Sequence, residues 1–200
     1  MRQVDNGLPC RDPISTRRSL PSIKLSIAAL LFVTALPAFA LHNVHAARIA
    51  KADRKPAPNF HLVNDSGKTT QLPDFRGKVV LVNFWATTCG GCVLEIPSFI
   101  ELQQKYGNSS FTAVGISADI PYNGLKTADE AWQKVHPFIA KHQMNYPILM
   151  GDDAVINSYG FQAYPATYLI DRSGHVAATY VGVVSKEDVD ANINKLLAER

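Results

Sequence analysis

The sequence predicts an α/β protein in which a mixed sheet is covered by helices on both faces. Two continuous apolar runs of strand length, VVLVNFW (79–85) and FTAVGIS (111–117), are typical of strands that are buried on both faces. A helical segment separates them, so the three elements form a βαβ unit with parallel strands. Further along, two short apolar runs flank the turn DRSG and predict an antiparallel hairpin. Parallel strands in one half and a hairpin in the other make a mixed sheet.

The elements before the βαβ unit are a linker and a hairpin. Residues 42–58 have no sustained apolar period and end in two closely spaced prolines, so we predict a linker over residues 41–57. NFHLV (59–63) and KTTQL (68–72) flank the turn-forming sequence NDSG, which predicts a β-hairpin. The folded domain is therefore expected to cover residues 58–200.

The remaining elements follow the chain to its end. A helix over residues 90–106 joins the two buried strands and ends at Gly107. Residues 127–144 carry apolar side chains at helical spacing and predict an inserted helix. After them we expect a short strand, a short helix, the hairpin and a closing helix, at 146–150, 152–160, 166–181 and 185–197.

The charge of the chain is concentrated at its N-terminus. Residues 1–40 contain five Lys or Arg and two Asp, whereas residues 41–200 contain fifteen charges of each sign. A balanced domain has no basic surface for a nucleic acid, so we exclude that class of partner.

Residues 1–40 predict a signal peptide or an N-terminal membrane anchor. Basic residues precede the apolar run 25–36, and residues 38–40 have the small-x-small pattern of a signal peptidase site. Residues 44–46 offer a second such site. The apolar run is shorter than the roughly 20 residues of a spanning helix, which favours cleavage. We expect a periplasmic or other extracytoplasmic protein, either secreted or anchored to the inner membrane.

The cysteines indicate redox chemistry. Cys10 lies in the N-terminal segment, so an exported, processed chain keeps only Cys89 and Cys92, in the sequence CGGC. Structural zinc needs about four ligands, and this single pair is followed by no suitably spaced histidine pair, so we predict no metal. A structural disulfide across so short a loop would stabilise the fold least. A redox-active dithiol is the remaining interpretation.

The position of the pair supports this chemistry. If Cys89 caps the helix that follows it, the free N–H groups and the helix dipole favour its thiolate, which makes Cys89 the nucleophile. Cys92 would then be the resolving thiol. Glu95 follows one turn later, where its carboxylate is expected to relay a proton as Cys92 is deprotonated. The alternative is a solvated glutamate on an exposed turn.

The runs VVLVNFWATTCGGCVLEIP and YPATYLIDRSG together resemble the TlpA-like branch of the thioredoxin superfamily, which includes ResA-type exported thiol-disulfide oxidoreductases. The resemblance covers residue 58 to the C-terminus. It implies a thioredoxin-like fold with an N-terminal β-hairpin and a helical insert. It also implies a protein-disulfide reductase whose only redox group is the Cys89–Cys92 disulfide, with no separate cofactor.

The resemblance also assigns residues around the dithiol. Pro97 matches the proline that bends the first helix, and Pro165 matches a proline whose preceding peptide bond is cis. Trp85, Tyr164 and Pro165 are expected to contact substrate. Because proline has no N–H, backbone near Pro165 is free to pair with an incoming substrate strand.

Three positions depart from close relatives of this pattern. Asn83 stands where cytosolic thioredoxins carry a buried aspartate, so Glu95 is the expected assisting carboxylate. Thr88 and Gly91 stand where many relatives have Trp and Pro. Glycine at 91 is expected to loosen the loop between the sulfurs.

Two other functions compete with this one. DFRGKVVLVNFW also resembles the core of peroxiredoxins, but Ala86 occupies the place of the threonine that holds the peroxide before the reacting cysteine. An exported module for copper binding or copper-site maturation is the second alternative. For the reductase, the resemblance implies disulfide-bearing exported partners, such as apocytochromes c in cytochrome c-type biogenesis or copper-site proteins. It further implies a membrane thiol reductant that recharges the dithiol, and we expect a monomer.

Overall fold

A five-stranded mixed sheet forms the centre of the computed structural model, which describes residues 43–107 and 110–199. The strands are β1 (His61–Val63), β2 (Thr69–Gln71), β3 (Val79–Trp85), β4 (Phe111–Ser117), β5 (Ile148–Met150), β6 (Ala166–Ile170) and β7 (Val176–Val181). The helices are α1 (Gly90–Tyr106), α2 (Asp119–Asn123), α3 (Ala128–His142), α4 (Asp153–Tyr159) and α5 (Lys186–Ala198). The strand order is β5-β4-β3-β6-β7, with β3, β4 and β5 parallel and β6 and β7 antiparallel.

The sheet is covered on both faces, as the sequence predicts. Strand β3 lies in the middle, and all seven of its residues are buried. Its odd-numbered apolar residues belong to a core cluster with α1, α3 and α5, while Val80, Val82 and Phe84 pack against α4 and the N-terminal hairpin. The predicted α/β class and thioredoxin-like arrangement are confirmed, and the end of β3 that leads into α1 carries the CGGC sequence.

The N-terminal hairpin forms a separate two-stranded antiparallel sheet. Asn64 organises its turn, since the side-chain Oδ1 accepts hydrogen bonds from the backbone N–H groups of Ser66 and Lys68 at 3.1 and 2.8 Å. Asn and Gly at a turn supply backbone conformations that other residues adopt with strain, which is why the sequence NDSG predicts this turn correctly.

The helical insert contains a helix that the sequence pattern does not predict. Helix α2 has only five residues and ends at Gly124, whose φ of 64° is left-handed. A single turn of helix is too short to show an apolar period. Helix α3 is predicted within two residues at each end, and a capping box between Thr127 and Glu130 fixes its start.

The segment predicted as a linker packs against the domain instead. Arg54 is 8% exposed and donates hydrogen bonds to Asp171 at 3.0 Å and to Glu199 at 2.7 and 2.8 Å. Its two carboxylate partners are more than a hundred residues away, so no local pattern reveals them. The compact unit accordingly extends N-terminally beyond residue 58.

The predicted signal peptide or anchor at residues 1–40, together with Cys10, lies outside the described residues. Val44, in the second candidate cleavage site, forms a parallel bridge with Val184. Its N–H donates to Val183 O at 2.6 Å, and its carbonyl accepts from the Ser185 N–H at 3.0 Å. Within residues 43–107 and 110–199, no helix is both long enough and apolar enough to cross a membrane.

Candidate functional site

Cys89 and Cys92 form a disulfide at the N-terminus of α1. Cys89 is the N-cap residue, and its Sγ accepts a hydrogen bond from the Cys92 backbone N–H at 3.2 Å. Unpaired N–H groups and the helix dipole favour negative charge at this position. Cys89 is 5% exposed and Cys92 is 1% exposed, so Cys89 is the more accessible of the two.

Glu95 is buried in α1, three residues after Cys92. It is 1% exposed, and its two carboxyl oxygens accept hydrogen bonds from the Val184 N–H at 2.9 Å and from Asn83 Nδ2 at 3.2 Å. The Asn83 amide also donates to Thr167 Oγ1 at 3.0 Å, which fixes its orientation. The alternative of a solvated glutamate is therefore wrong.

Burial raises the pKa of Glu95 to about 8, although the hydrogen bonds from Val184 and Asn83 lower it. Desolvation disfavours the charged carboxylate, and within residues 43–107 and 110–199 the groups that lower its pKa are the uncharged Val184 N–H and the Asn83 amide. In the disulfide form at neutral pH, Glu95 therefore carries a proton within the core, close to the sulfurs it follows in sequence.

This buried acid should make the stability of the oxidised protein depend on pH. Glu95 keeps its proton up to about pH 8 in the folded state but loses it near 4.5 when unfolded. The folded state thus binds more protons between these values, so the free energy of unfolding should fall as pH rises through that window, by up to about 5 kcal/mol.

Denaturant titrations of the oxidised protein at pH 5 and pH 8 measure this effect. The Glu95→Gln variant should lose the dependence and be the more stable protein at pH 8. If the wild-type and variant stabilities changed in parallel with pH, Glu95 would not carry the proton.

The Tyr164–Pro165 peptide bond is cis, as the resemblance implies, and Pro165 faces Gly91 in the CGGC loop. A Cβ atom at Gly91 would lie 3.3 Å from Pro165 Cδ and 3.4 Å from Val183 Cγ2, which is tighter than ordinary contact. Glycine therefore lets the first turn of α1 pack closely against Pro165. The expectation that Gly91 loosens this loop misses that role.

An aromatic group lies beside this junction. The rings of Tyr122 and Phe161 each contact the Tyr164 ring edge-to-face, with centroids 5.0 Å apart. Tyr122 is 45% exposed, and partial burial raises the pKa of Tyr164 to about 12. Tyr164 thus presents a neutral aromatic surface next to Pro165. The sequence gives no signal that Tyr122 contacts it.

Trp85 does not lie on this surface. It is 1% exposed and its ring stacks on Phe138 of α3 with centroids 5.0 Å apart. The inserted helix covers the end of β3, so the prediction that Trp85 contacts substrate is wrong for this structure. Trp85 belongs to the same buried core cluster as Cys89 and Cys92.

Pro97 lies inside α1, two residues after Glu95. Proline has no N–H, so the carbonyl of Val93 has no helical partner from residue 97. The helix nevertheless continues to Tyr106, and the bend implied by the resemblance stays a prediction.

Sequence reasoning also missed the side chains that hold the loop before Cys89. Asp119 and Asn123 of α2 bind Thr87 and Thr88 through hydrogen bonds. Polar residues on a short, unpredicted helix carry no recognisable motif, and their partners are more than thirty positions away.

A model of the AhpC/TSA family matches residues 54–179. The chain belongs to the AhpC/TSA family. The thiol-disulfide oxidoreductase ResA of Geobacillus thermodenitrificans is 29% identical over 171 residues, which cover 86% of this chain and 93% of that protein. The thioredoxin-like protein YneN of Bacillus subtilis is 30% identical over 138 residues, which cover 69% of this chain and 76% of that protein.

Comparison with solved structures also points to thioredoxin-family proteins. A thiol:disulfide interchange protein of the thioredoxin family from Chlorobium tepidum TLS superposes with a TM-score of 0.63 at 30% identity. The match covers 74% of this chain and 100% of that chain. The resemblance to ResA-type proteins, the thioredoxin-like fold and the enzyme class, a thiol-disulfide oxidoreductase, are confirmed.

The described part of this AhpC/TSA family member contains no group of three or more His, Cys, Asp or Glu side chains arranged to hold a metal ion. The copper-binding alternative stays a prediction, and protection of the thiols from alkylation by Cu(I) would test it.

Proposed function

We propose that the protein is an exported reductase of disulfides in partner proteins, in which Cys89 attacks, Cys92 resolves and Glu95 transfers the proton. The observation that supports this most is the buried carboxyl group of Glu95, held by Val184 and Asn83 one helical turn after the Cys89–Cys92 disulfide. Burying a carboxyl group costs free energy, and a disulfide that only stabilises the fold would gain nothing from it.

The reaction transfers two electrons from the dithiol to the substrate. The Cys89 thiolate attacks one sulfur of the substrate disulfide, which forms a mixed disulfide and releases the first substrate thiolate. Glu95, in its ionised form, accepts the proton of Cys92, and the resulting thiolate attacks Cys89 Sγ. This step releases the second substrate sulfur as a thiolate, which takes a proton from solvent, and leaves the Cys89–Cys92 disulfide seen in the structure.

The surface around Pro165 would bind the substrate. Pro165 lies against Gly91, and the partly exposed rings of Tyr122 and Tyr164 border the same junction. Aromatic side chains offer large contact areas at low cost in conformational entropy. An extended substrate segment would lie across these residues with its sulfur at Cys89.

The cellular setting follows from the N-terminal sequence and the resemblance. An export signal at residues 1–40 would place the domain in the periplasm or outside the cell, where partner proteins contain disulfides. Apocytochromes c and copper-site proteins are the partners that the resemblance implies, with a membrane thiol reductant as electron donor.

A thiol peroxidase is the alternative function, because the chain matches the AhpC/TSA family model. Ala86 lacks the hydroxyl group that would hold a peroxide three residues before Cys89. We therefore expect no enzyme-like consumption of hydrogen peroxide by the purified protein.

Trapping with Cys92→Ser tests the proposed function. Without the resolving thiol, mixed disulfides on Cys89 should accumulate in periplasmic extracts and dissociate only on reduction. Mass spectrometry then identifies the attached proteins. The Cys89→Ser variant is the matched control and should trap none, whereas equal capture by the two variants would contradict the assigned roles.

A further inference from the structure

The loop that leads into the dithiol is bound by a fully buried carboxylate. Asp119, the first residue of α2, is 0% exposed. It accepts hydrogen bonds from the Thr87 N–H at 3.2 Å and from the Thr87 hydroxyl group. Ser117 Oγ and Asn123 Nδ2 also donate to it, at 2.8 and 2.6 Å. Each of these groups donates a hydrogen bond to Asp119, so both oxygens of the carboxylate have hydrogen-bond donors.

Asn123 extends this network to the residue next to Cys89. Its amide nitrogen donates to Asp119, so its Oδ1 is left to accept a hydrogen bond from Thr88 Oγ1 at 2.5 Å. Thr87 and Thr88, the two residues before Cys89, are therefore both bound by side chains of α2. This short helix follows β4 and is separate from α1, at whose N-terminus the two cysteines lie.

We propose that Asp119 and Asn123 are positioning residues that set the thiol-disulfide equilibrium of Cys89 and Cys92. This inference rests on the proposed reductase function. A loop held in place keeps the Cys89 sulfur beside Cys92 after reduction, so less conformational entropy is lost when the disulfide forms again. Loosening the loop therefore favours the dithiol.

The charge of Asp119 acts in the same direction. A negative charge at Asp119, which contacts Thr87 two residues before Cys89, disfavours negative charge on the Cys89 sulfur. Removing that charge should stabilise the reduced form, whose nucleophile is ionised. A purely structural role for Asp119 would instead alter stability and leave the redox equilibrium unchanged.

Equilibration with glutathione measures the effect. In this reaction the protein disulfide and two glutathione molecules give the protein dithiol and one glutathione disulfide, so two electrons and two protons are transferred. Thr87→Val keeps the shape of the side chain but removes its hydrogen bond to a charged group. We expect the constant for forming the protein disulfide to fall about tenfold, which corresponds to about 30 mV. Thr87→Ser keeps the hydroxyl and should match the wild type.

Asp119→Asn provides the second measurement. It should shift the equilibrium in the same direction and lower the pKa of the Cys89 thiol, as followed by thiolate absorbance. If Asp119→Asn does not fold, the glutathione equilibria of Thr87→Val and Thr87→Ser test the proposal without it. The proposal is overturned if Thr87→Val has the wild-type equilibrium while only its thermal unfolding changes. A wild-type protein that fails to exchange with glutathione would contradict the reductase function instead.

Discussion

Replacing Cys89 with serine is expected to lower the rate of disulfide reduction by at least about a thousandfold. Serine cannot supply a thiolate at neutral pH, and the helix N-terminus that favours charge on the Cys89 sulfur then has no nucleophile to act on. The measurement is the reduction of insulin disulfides, with dithiothreitol as electron donor and the uncatalysed reaction subtracted.

Two other cysteine variants make this test specific. Cys10→Ser, in the predicted export segment, should retain the full rate. Cys92→Ser should still attack a disulfide once but fail to turn over. If Cys89→Ser kept more than a small part of the wild-type rate, the nucleophile would have to lie elsewhere and the proposed reaction would be wrong.

Replacing Glu95 with glutamine is expected to slow reduction of the protein's own disulfide about a hundredfold at pH 7. When a small thiolate attacks Cys89 Sγ, Cys92 leaves as a thiolate and needs a proton. Burial holds the pKa of Glu95 at about 8, so at pH 7 the carboxylic acid is present in the disulfide form and can donate that proton. Glutamine preserves the shape of the side chain but has no acidic proton.

Stopped-flow reduction by dithiothreitol across pH 6 to 10 checks this expectation. Rates are compared at equal concentrations of the attacking thiolate. The advantage of the wild type over Glu95→Gln should shrink above about pH 8, where Glu95 is ionised. Glu101→Gln, which changes an exposed glutamate on the same helix, is the matched control and should behave as wild type. A constant ratio at every pH would contradict the role in proton transfer.

Local sequence patterns predict the central part of this fold well. The bounds of β3, α1 and β4 agree with the structure because each element buries a continuous apolar run or ends at a glycine. The cis bond before Pro165 is also anticipated, through the resemblance. These features depend on neighbouring residues or on a recognisable motif.

The features that the sequence does not predict depend on long-range contacts. Trp85 is covered by α3, whose position over the end of β3 no local pattern reveals. Arg54 is buried only because distant carboxylates neutralise it. In the sequence, nothing distinguishes Asp119 from a solvent-exposed aspartate, because its partner Thr87 is 32 residues away. In each case the decisive partner comes from another part of the chain.

Val44 pairs with residues 183–185, next to the buried carboxyl group of Glu95. Val184 donates to Glu95, and the strand-like contact from Val44 fixes the backbone on both sides of that donor. Proteolytic trimming after Ala46 would remove the contact, whereas a cut after residue 40 would leave it in place. If the proposed export signal is removed, the position of the cut would decide whether the chain keeps this backbone pairing beside Glu95.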